Sequence, residues 1–405
     1  MTTTGNFRIE AGEAAALIDA RMPTYPTERV PLERAQGRVL REQLVAERDQ
    51  PPFDRVTMDG IAIDSAALAN ERRQFKLRGI QGAGAEAIPL GDAEHCVEIM
   101  TGAMLPPDAD TVVPVERISC NAEIVTLEEG YAPDPGQFIH RTGSDHAAGQ
   151  PLLQPGCVIG ATEMAVLTIT GKTDIEVARW PDIAVISTGD ELVDAGKPLE
   201  PFQIRSSNGH AIVAALEKRG CRSNRRAHLL DDPTQLRESI GRMHEDHDVL
   251  ILSGGVSMGK YDYVPQIMDE LGVELVFHKI LQRPGLPMWF GVSAAGKPIF
   301  ALPGNPVSTL VCTIRYVLPA IRRAMGAREP THALQLAEPV HFAPDLTCFL
   351  PVQLTHAATG AVLAQPKPTN TSGDFISLAG TDGFVELPRG RDDFSAGYAA
   401  DFFAW

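Results

Sequence analysis

The sequence predicts a multidomain α/β plus β protein in which one doubly wound α/β domain is combined with smaller β-rich domains. Three observations predict this class. Between residues 179 and 327, unbroken apolar runs alternate with amphipathic helical segments, which is typical of a parallel sheet with helices on both faces. Residues 51–145 and 328–405 contain short β-type runs separated by turns rich in glycine and proline. A chain of 405 residues also has room for about two to three domains of average size.

The N-terminal 50 residues are polar and mostly helical in pattern. A first helix is expected near Glu13–Arg21, and Pro31 is expected to open a second element. In the β-rich stretch that follows, the clearest expected strands are Thr111–Val115 and Glu123–Leu127. A further helix is expected over Thr162–Thr170, just before the α/β pattern begins.

The α/β pattern predicts the order of its own elements. A buried strand at 182–188 leads to a helix that Asn208 caps and Gly220 ends. Asp232 is expected to cap the next helix, with Pro233 at its first position. The remaining elements are a strand at 248–252, a helix at 263–272, a strand at 273–280, hairpin strands in 287–293 and 297–304, and one closing helix over 305–326. The short β segments after residue 328 predict a small barrel or sandwich.

Three loops are expected at the carboxyl-terminal edge of this sheet, where doubly wound domains bind their ligands. Gly254 and Gly255 have no Cβ, so backbone amides can approach an anion closely there. Pro306 at the first helical position is expected to leave the amides of Val307 and Ser308 free for an anion. The three loops are residues 187–192, 253–262 and 303–308, and their substrate-binding candidates are Gly254, Gly255, Ser257, Pro303, Asn305 and Ser308.

The composition is strongly acidic, with 36 Lys and Arg against 52 Asp and Glu and a net charge of −16. Such a surface does not hold nucleic acid or an anionic membrane by bulk electrostatics, although a local site can still bind a small anion. No apolar run reaches the roughly 18 residues of a membrane helix, and the N-terminus has no secretory apolar stretch. The six cysteines show no CxxC spacing, which favours reduced thiols and a cytoplasmic location.

Six motifs, three of which contain the loops described above, occur together and in order along the chain. They are PPFDRVTMDG (51–60), TGAMLPPDADTVVPVE (101–116), STGDEL (187–192), SGGVSMGKYDY (253–263), HKILQRPGLP (278–287) and ALPGNPVS (301–308). The set resembles the MoeA-type molybdopterin molybdenumtransferases, the family that includes the E-domain of gephyrin. The resemblance extends over about residues 7–390.

The resemblance implies a homodimer of four-domain subunits with the active site between subunits. It also implies that molybdate is inserted into the dithiolene of adenylylated molybdopterin, with release of AMP and assistance from Mg²⁺ as cofactor. The implied domains are a linking domain split into 7–50 and 146–178, a β-rich insertion at 51–145, a molybdopterin-binding α/β domain at 179–327 and a C-terminal β-barrel at 328–405.

Matching the family motifs residue by residue implies individual roles. Glu191 and Asp262 are the implied catalytic carboxylates that hold Mg²⁺, an ion that prefers carboxylate oxygens. Lys279 and Arg283 are implied to attract molybdate and the phosphates. Asp59 and Asp145, from the other subunit, are implied to orient the complex. Thr101 is an implied substrate-binding residue.

The motif around 278–287 departs from the family pattern. Arg283 replaces the second family lysine and keeps its charge with a different hydrogen-bonding geometry, while Leu286 replaces a lysine and removes a cation. A basic residue usual near 345–354 is also missing. The preference between molybdate and tungstate therefore stays open, as does the choice between Ser372 and Ser377 as the serine that contacts the oxyanion.

Two alternative functions remain compatible with parts of the sequence. The 179–327 domain also resembles molybdopterin adenylyltransferases and CinA-type proteins, but the motifs at 51–116 argue against a free-standing adenylyltransferase. A non-catalytic scaffold of the gephyrin type is the second alternative. The presence of Asp59, Asp145, Glu191 and Asp262 favours an enzyme.

Overall fold

The computed structural model of the chain describes residues 8–222, 224–256 and 263–405. The described residues form two compact units. One comprises the described residues within Met1–Glu42, Pro155–Thr162 and Asp174–Trp405, and the other comprises Gln43–Gln154 and Glu163–Thr173. Among the described residues, no helix is both long and apolar enough to cross a membrane.

The first elements are helix α1 (Ala11–Arg21) and strand β1 (Thr27–Pro31). The helix confirms the predicted first element. The second prediction was wrong, because Pro31 ends a strand and a single 3-10 turn, Leu32–Arg34, follows it. Gly37, at a φ of 77°, then turns the chain. The stretch between Pro31 and Gly37 therefore holds this single turn and no longer helix.

The smaller unit is built on a six-stranded sheet with the order β7-β4-β6-β5-β9-β8. Alternate residues of its strand β4 enter different clusters, since Ile61 and Ile63 pack with Phe75 while Ala62 packs with Ile99. The elements of this stretch are β2 (Leu44–Val45), β3 (Arg55–Val56), β4 (Gly60–Ile63), α2 (Ala66–Ala69), β5 (Gln74–Gln81), β6 (His95–Ile99), β7 (Thr111–Pro114), β8 (Ile118–Asn121), β9 (Ile124–Leu127), β10 (Ile139–His140) and β11 (Pro151–Leu153). The strands predicted near 111 and 123 are confirmed.

Helix α3 (Ala161–Ile169) and strand β12 (Asp174–Ala178) lead into the α/β domain. Strand β12 pairs antiparallel with β1, so that Thr27 lies opposite Ala178. The pairing returns the chain to its N-terminal segment before the large sheet begins.

The α/β domain contains a six-stranded sheet with the order β16-β13-β17-β21-β20-β18. Its first four strands are parallel, β20 pairs antiparallel with β21, and β18 pairs antiparallel with β20. Its elements are β13 (Ile183–Thr188), β14 (Leu192–Val193), β15 (Ile204–Arg205), α4 (Asn208–Lys218), β16 (Asn224–Leu229), α5 (Pro233–Asp246), β17 (Val249–Ser253), α6 (Val264–Glu270), β18 (Glu274–His278), β19 (Gln282–Arg283), β20 (Trp289–Val292) and β21 (Pro298–Leu302).

Helices cover both faces of this sheet, as a doubly wound fold requires. Val185 packs in one cluster with Leu216 of α4, and Ile186 packs in another with Ile240 of α5. The predicted closing helix is instead three pieces: α7 (Pro306–Cys312), a π-helical turn (Thr313–Val317) and α8 (Leu318–Ala324). Pro319 has no N–H to continue the α-helical ladder, and the amide of Leu318 bonds the carbonyl of Thr313 five residues earlier.

The C-terminal segment forms a closed barrel in which β24, β25, β22, β28 and β26 pair in sequence and β26 pairs back to β24. This closure confirms the predicted barrel. The short strand β19 also pairs with β24 in parallel, with Arg283 opposite Cys348. The elements are β22 (His332–Leu336), β23 (Val340–His341), β24 (Thr347–His356), β25 (Val362–Pro366), β26 (Gly383–Leu387), β27 (Asp393–Phe394) and β28 (Ala399–Ala404).

Gly60 is the most crowded glycine of the smaller unit's sheet. A Cβ at this position would lie 1.9 Å from the Val113 carbonyl oxygen of the neighbouring strand, whereas a Cβ at Gly82 would have no atom within 4 Å. We expect Gly60→Ala to lower the free energy of unfolding by about 3 kcal/mol, because the backbone has to shift. Gly82→Ala is the matched control and should change it by less than about 0.5 kcal/mol in chemical denaturation. Equal effects would contradict the close strand contact.

Candidate functional site

The loops that follow β13, β17 and β21 meet at one edge of the sheet, as predicted. Because these strands are parallel neighbours, their carboxyl ends lie side by side. The loops surround a cavity of about 870 Å³ that residues of all three loops line. The lining residues include Glu191, Gly254, Gly255, Pro303 and Asn305.

Asn208 joins the second and third loops. It was predicted to cap helix α4, but it is the first helical residue, and Ser207 occupies the cap position. Its side-chain nitrogen donates hydrogen bonds to Ser253 Oγ at 2.9 Å and to the Gly304 carbonyl at 2.8 Å. The side-chain amide of Asn208 therefore bridges the two loop ends and does not cap the helix.

Gly254 and Gly255 are in the left-handed region, with φ of 99° and 67°. A Cβ at Gly254 would lie 2.7 Å from the Thr188 carbonyl oxygen, and one at Gly255 would lie 3.0 Å from Val264 Cγ2. The second loop therefore needs glycine in order to approach the first loop. The candidates Ser257 and Asp262 belong to this loop but lie outside the described residues.

The start of α7 lies where it was predicted, but its hydrogen bonds differ from the prediction. Pro306 is the first helical residue, as expected. The amide of Val307, however, is not free for an anion, because it donates to the Ser372 carbonyl at 3.1 Å. Asn305 occupies the cap position of α7, but its side chain makes no capping hydrogen bond, since its Nδ2 donates to Ser372 Oγ at 2.7 Å. Sequence reasoning missed this because Ser372 comes from the distant barrel segment.

Carboxylates and hydroxyls line the first cavity. Glu191 is exposed and folds over Gly189, where an added Cβ would lie 2.5 Å from its Oε2. Asp231 also lines the cavity and was missed, although its place just after the end of β16 could have identified it. The Thr188 and Ser206 hydroxyls are buried there and have no hydrogen-bond partner among the described residues. No group of three or more His, Cys, Asp or Glu in the described part of the chain has a metal-binding arrangement.

A second cavity of about 840 Å³ adjoins the first, and Pro287, Pro303 and Asn305 line both. It lies against the barrel, and Arg283 and Ser308 are among its lining residues. Other lining residues of this cavity are Leu286, Ser372 and Leu346.

Arg283 is exposed and is the one permanently cationic side chain among the described residues that line the second cavity. Burial raises the pKa of the nearby Cys348 thiol to about 12, and the positive charge of Arg283 opposes this rise. Lys279 lines neither cavity. Its backbone has a φ of 78°, and its amide donates to the Met288 carbonyl at 2.9 Å.

The two candidate serines of the late loop have different surroundings. Ser372 lines the second cavity, and because its Oγ accepts from Asn305, its own proton is available to a ligand. The Ser377 hydroxyl donates to Asp374, and this hydrogen bond is the main cause that lowers the pKa of that carboxyl. The structure therefore favours Ser372 as the serine facing the cavity.

The smaller unit holds the remaining predicted residues. Asp59 accepts hydrogen bonds from both the amide and the hydroxyl of Thr101, each at 2.7 Å. The hydrogen bond from the Thr101 backbone amide is the larger of the two causes that lower the pKa of Asp59. Asp145 pairs with His140 at 3.0 Å between Oδ1 and Nε2. Asp59 also lines a separate cavity of about 390 Å³ within this unit.

Comparison with known proteins matches the chain to one family along its length. Residues 9–171 match the MoeA N-terminal region (domain I and II), residues 184–323 a probable molybdopterin binding domain, and residues 333–405 the MoeA C-terminal region (domain IV). A molybdopterin molybdenumtransferase of Synechocystis sp. is 38% identical over 398 residues, which cover 98% of this chain and 100% of that protein. The chain belongs to the MoeA family. This membership confirms the resemblance in the motifs and places the chain among the transferases of molybdenum cofactor biosynthesis.

Further MoeA relatives agree. A molybdopterin molybdenumtransferase of Staphylococcus aureus is 33% identical over 400 residues, which cover 97% of this chain and 94% of that protein. The crystal structure of a molybdopterin biosynthesis MoeA protein from Pyrococcus horikosii has a TM-score of 0.80 at 30% identity and covers 98% of this chain and 99% of its own. This likeness confirms the predicted fold class. In the motif at 278–287, this MoeA chain has Arg283 and Leu286.

We expect Asn208→Ala to weaken the junction of the second and third loops. The substitution leaves Ser253 Oγ and the Gly304 carbonyl without this donor, so the free energy of unfolding should fall by about 1–2 kcal/mol. Asn70→Ala is the control, since Asn70 makes one exposed hydrogen bond of 3.4 Å and should change stability by less than about 0.5 kcal/mol. Chemical denaturation measures both, and indistinguishable values would refute the bridging role of Asn208.

Proposed function

We propose that this chain inserts molybdate into the dithiolene of adenylylated molybdopterin, with release of AMP, as a cytoplasmic homodimer. The observation that supports this most directly is the junction of two large cavities. One is lined by glycine-rich loops at a parallel-sheet edge, and the other presents a cation, Arg283. A long anionic substrate in the first cavity would meet an oxyanion held in the second. All six cysteines are free thiols, which supports a reducing compartment.

The first cavity suits the pterin and its pyrophosphate. The loop at Gly254 and Gly255 brings backbone close to a ligand without side-chain bulk. The buried hydroxyls of Thr188 and Ser206 supply hydrogen bonds that have no other partner among the described residues. Burying such groups costs stability unless a ligand bonds them, so their presence supports a polar substrate in this place.

Mg²⁺ is proposed to bind at the acidic side of the same cavity. Glu191, together with Asp262 from the adjoining loop, would hold the ion, and Asp231 is a third carboxylate on the cavity wall. The exposed position of Glu191 suits an ion that retains several water ligands. When bound, Mg²⁺ neutralises charge on the pyrophosphate.

The second cavity suits the oxyanion. Arg283 supplies a planar group with several N–H donors, and Ser372 supplies a hydroxyl that Asn305 has already oriented. Lys279, on the same segment of chain, adds long-range attraction for anions. These donors can bind molybdate and tungstate alike, because the two oxyanions have the same charge and shape. The KM values for the two oxyanions measure the preference between them.

The remaining roles belong to the smaller unit. Asp59 and Asp145 would orient the substrate complex from the second subunit of the homodimer. Asp59 is hydrogen-bonded to Thr101, and Asp145 is paired with His140. A site shared between subunits can be tested with mixed dimers that carry Asp59→Asn in one subunit and Glu191→Gln in the other. One of their two sites would keep both carboxylates, so about half of the activity should remain, although each variant alone is inactive. Complete loss of activity in the mixed dimers would contradict the shared site.

The test of the main proposal is the release of AMP from adenylylated molybdopterin with molybdate and Mg²⁺. Glu191→Gln and Asp262→Asn should each lower the rate by at least about 100-fold, because charge neutralisation at the pyrophosphate is lost. Glu200→Gln changes an exposed carboxylate outside the cavity and should keep the full rate. Full activity in both site variants would exclude the metal assignment. Turnover of non-adenylylated molybdopterin with ATP would instead identify an adenylyltransferase, and failure to restore a molybdoenzyme in a transferase-deficient strain would identify a scaffold.

Ser372→Ala and Ser377→Ala separate the two candidate serines. We expect Ser372→Ala to raise the KM for molybdate by about tenfold, because one hydrogen bond to a charged ligand is lost. Ser377→Ala should leave this KM within about twofold, since its hydroxyl is committed to Asp374. Initial rates of AMP release at varied molybdate concentration provide the measurement. A larger effect for Ser377→Ala would reverse the assignment.

A further inference from the structure

The wall of the second cavity rests on a buried amide that the proposed reaction does not use. Gln282 is 0% exposed and lies beneath the turn at residues 283–286. Its Nε2 donates to the Pro284 carbonyl at 3.1 Å and lies 3.5 Å from Cys312 Sγ. Its Oε1 accepts a hydrogen bond from the hydroxyl of Tyr316. All the polar atoms of this side chain are therefore engaged inside the protein.

The direction of each bond in this network is fixed. A carbonyl oxygen has no proton, so the NH₂ group of Gln282 must face Pro284, and its oxygen must face Tyr316. Tyr316 then has to be the donor. Its burial raises the pKa of the phenol well above its ordinary value, which keeps the donating proton in place. The ring packs edge-on against Phe349, with 6.4 Å between ring centroids.

The turn fits closely onto this network. Gly285 has a φ of 96°, and a Cβ there would lie 2.6 Å from Gln282 Nε2 and 2.6 Å from Cys312 Sγ. On the N-terminal side, Gln282 and Arg283 pair with β24 of the barrel. The backbone that bears Arg283 is thus held from below by the amide and from one side by a strand.

The support of the 283–286 turn is important because this turn carries Arg283. Arg283 is the one permanently cationic side chain among the described residues lining the second cavity, and Leu286 lines it as an apolar residue. A guanidinium binds an oxyanion through donors in a fixed plane, so its alignment depends on the backbone more than that of a compact, freely rotating ammonium. A single arginine in this cavity therefore needs a rigid support.

We propose that Gln282 and Tyr316 are positioning residues that hold the 283–286 turn so that Arg283 is aligned with the oxyanion. Gln282 lines the second cavity but is 0% exposed, and Tyr316 is 1% exposed, so neither side chain is assigned a contact with the substrate. They act through the Pro284 carbonyl and the Gly285 backbone. This inference rests on the proposed function for its substrate, while its structural part concerns the turn alone.

The experiment compares Tyr316→Phe and Gln282→Met with Thr313→Val. Thr313 is the matched control, since its buried hydroxyl lies on the same π-helical turn but donates to Thr309 within its own helix at 2.8 Å. Both network variants should raise the KM for molybdate about five- to tenfold, the effect of losing about one buried hydrogen bond. The KM for adenylylated molybdopterin should stay within about twofold, and Thr313→Val should leave both constants unchanged.

Hydrogen exchange of peptides covering residues 279–288 decides the structural part without any turnover. Tyr316→Phe, which keeps the ring, should speed exchange there while Thr313→Val does not, and it covers the case in which Gln282→Met fails to fold. Unchanged exchange in Tyr316→Phe, or a loosened turn with an unchanged KM for molybdate, would overturn the proposal. Absence of AMP release by the unmodified chain would overturn the proposed function instead, and the exchange result would still judge the positioning of the turn.

Discussion

Gly254 lies so close to Thr188 that no side chain fits between them, and the site depends on this contact. It follows from the parallel pairing of β13 and β17, because neighbouring strands end side by side and their loops must share the space beyond them. Glycine is the residue that allows the shared space to stay open for a ligand. Asn208 then fixes the third loop to the second, so three separate turns form one wall.

Local patterns were sufficient to predict most of the fold. Unbroken apolar runs identified β13, β17 and β21, and Asp232 followed by Pro233 identified the start of α5, where Asp232 does accept the Gln235 amide. Two of the errors have a common cause, which is that distant segments outcompeted local preferences. Pro31 lies in a strand because β12 pairs with it there. The side chain of Asn208 bonds two loop ends instead of capping α4.

The candidate site was predictable in part for the same reason. The position of the loops at the sheet edge follows from topology, and the motifs gave the residues of the family. The role of Ser372 was not predictable, because it depends on contacts with Asn305 and Val307, more than sixty residues earlier in the chain. The buried hydroxyls of Thr188 and Ser206 have no distinctive spacing, and only their common cavity identifies them.

The short strand β19 has a second consequence. Strand β24 pairs with β26 along its first half and with β25 only from Val352 onward, so the outer side of its first residues would be an open sheet edge. β19 covers that edge at Thr347 and Cys348. Exposed edges invite pairing with other chains and aggregation. The segment that carries Arg283 therefore also shields this edge of the barrel from pairing with other chains. A substitution that detaches β19 from β24 would expose the edge even where no substrate is present.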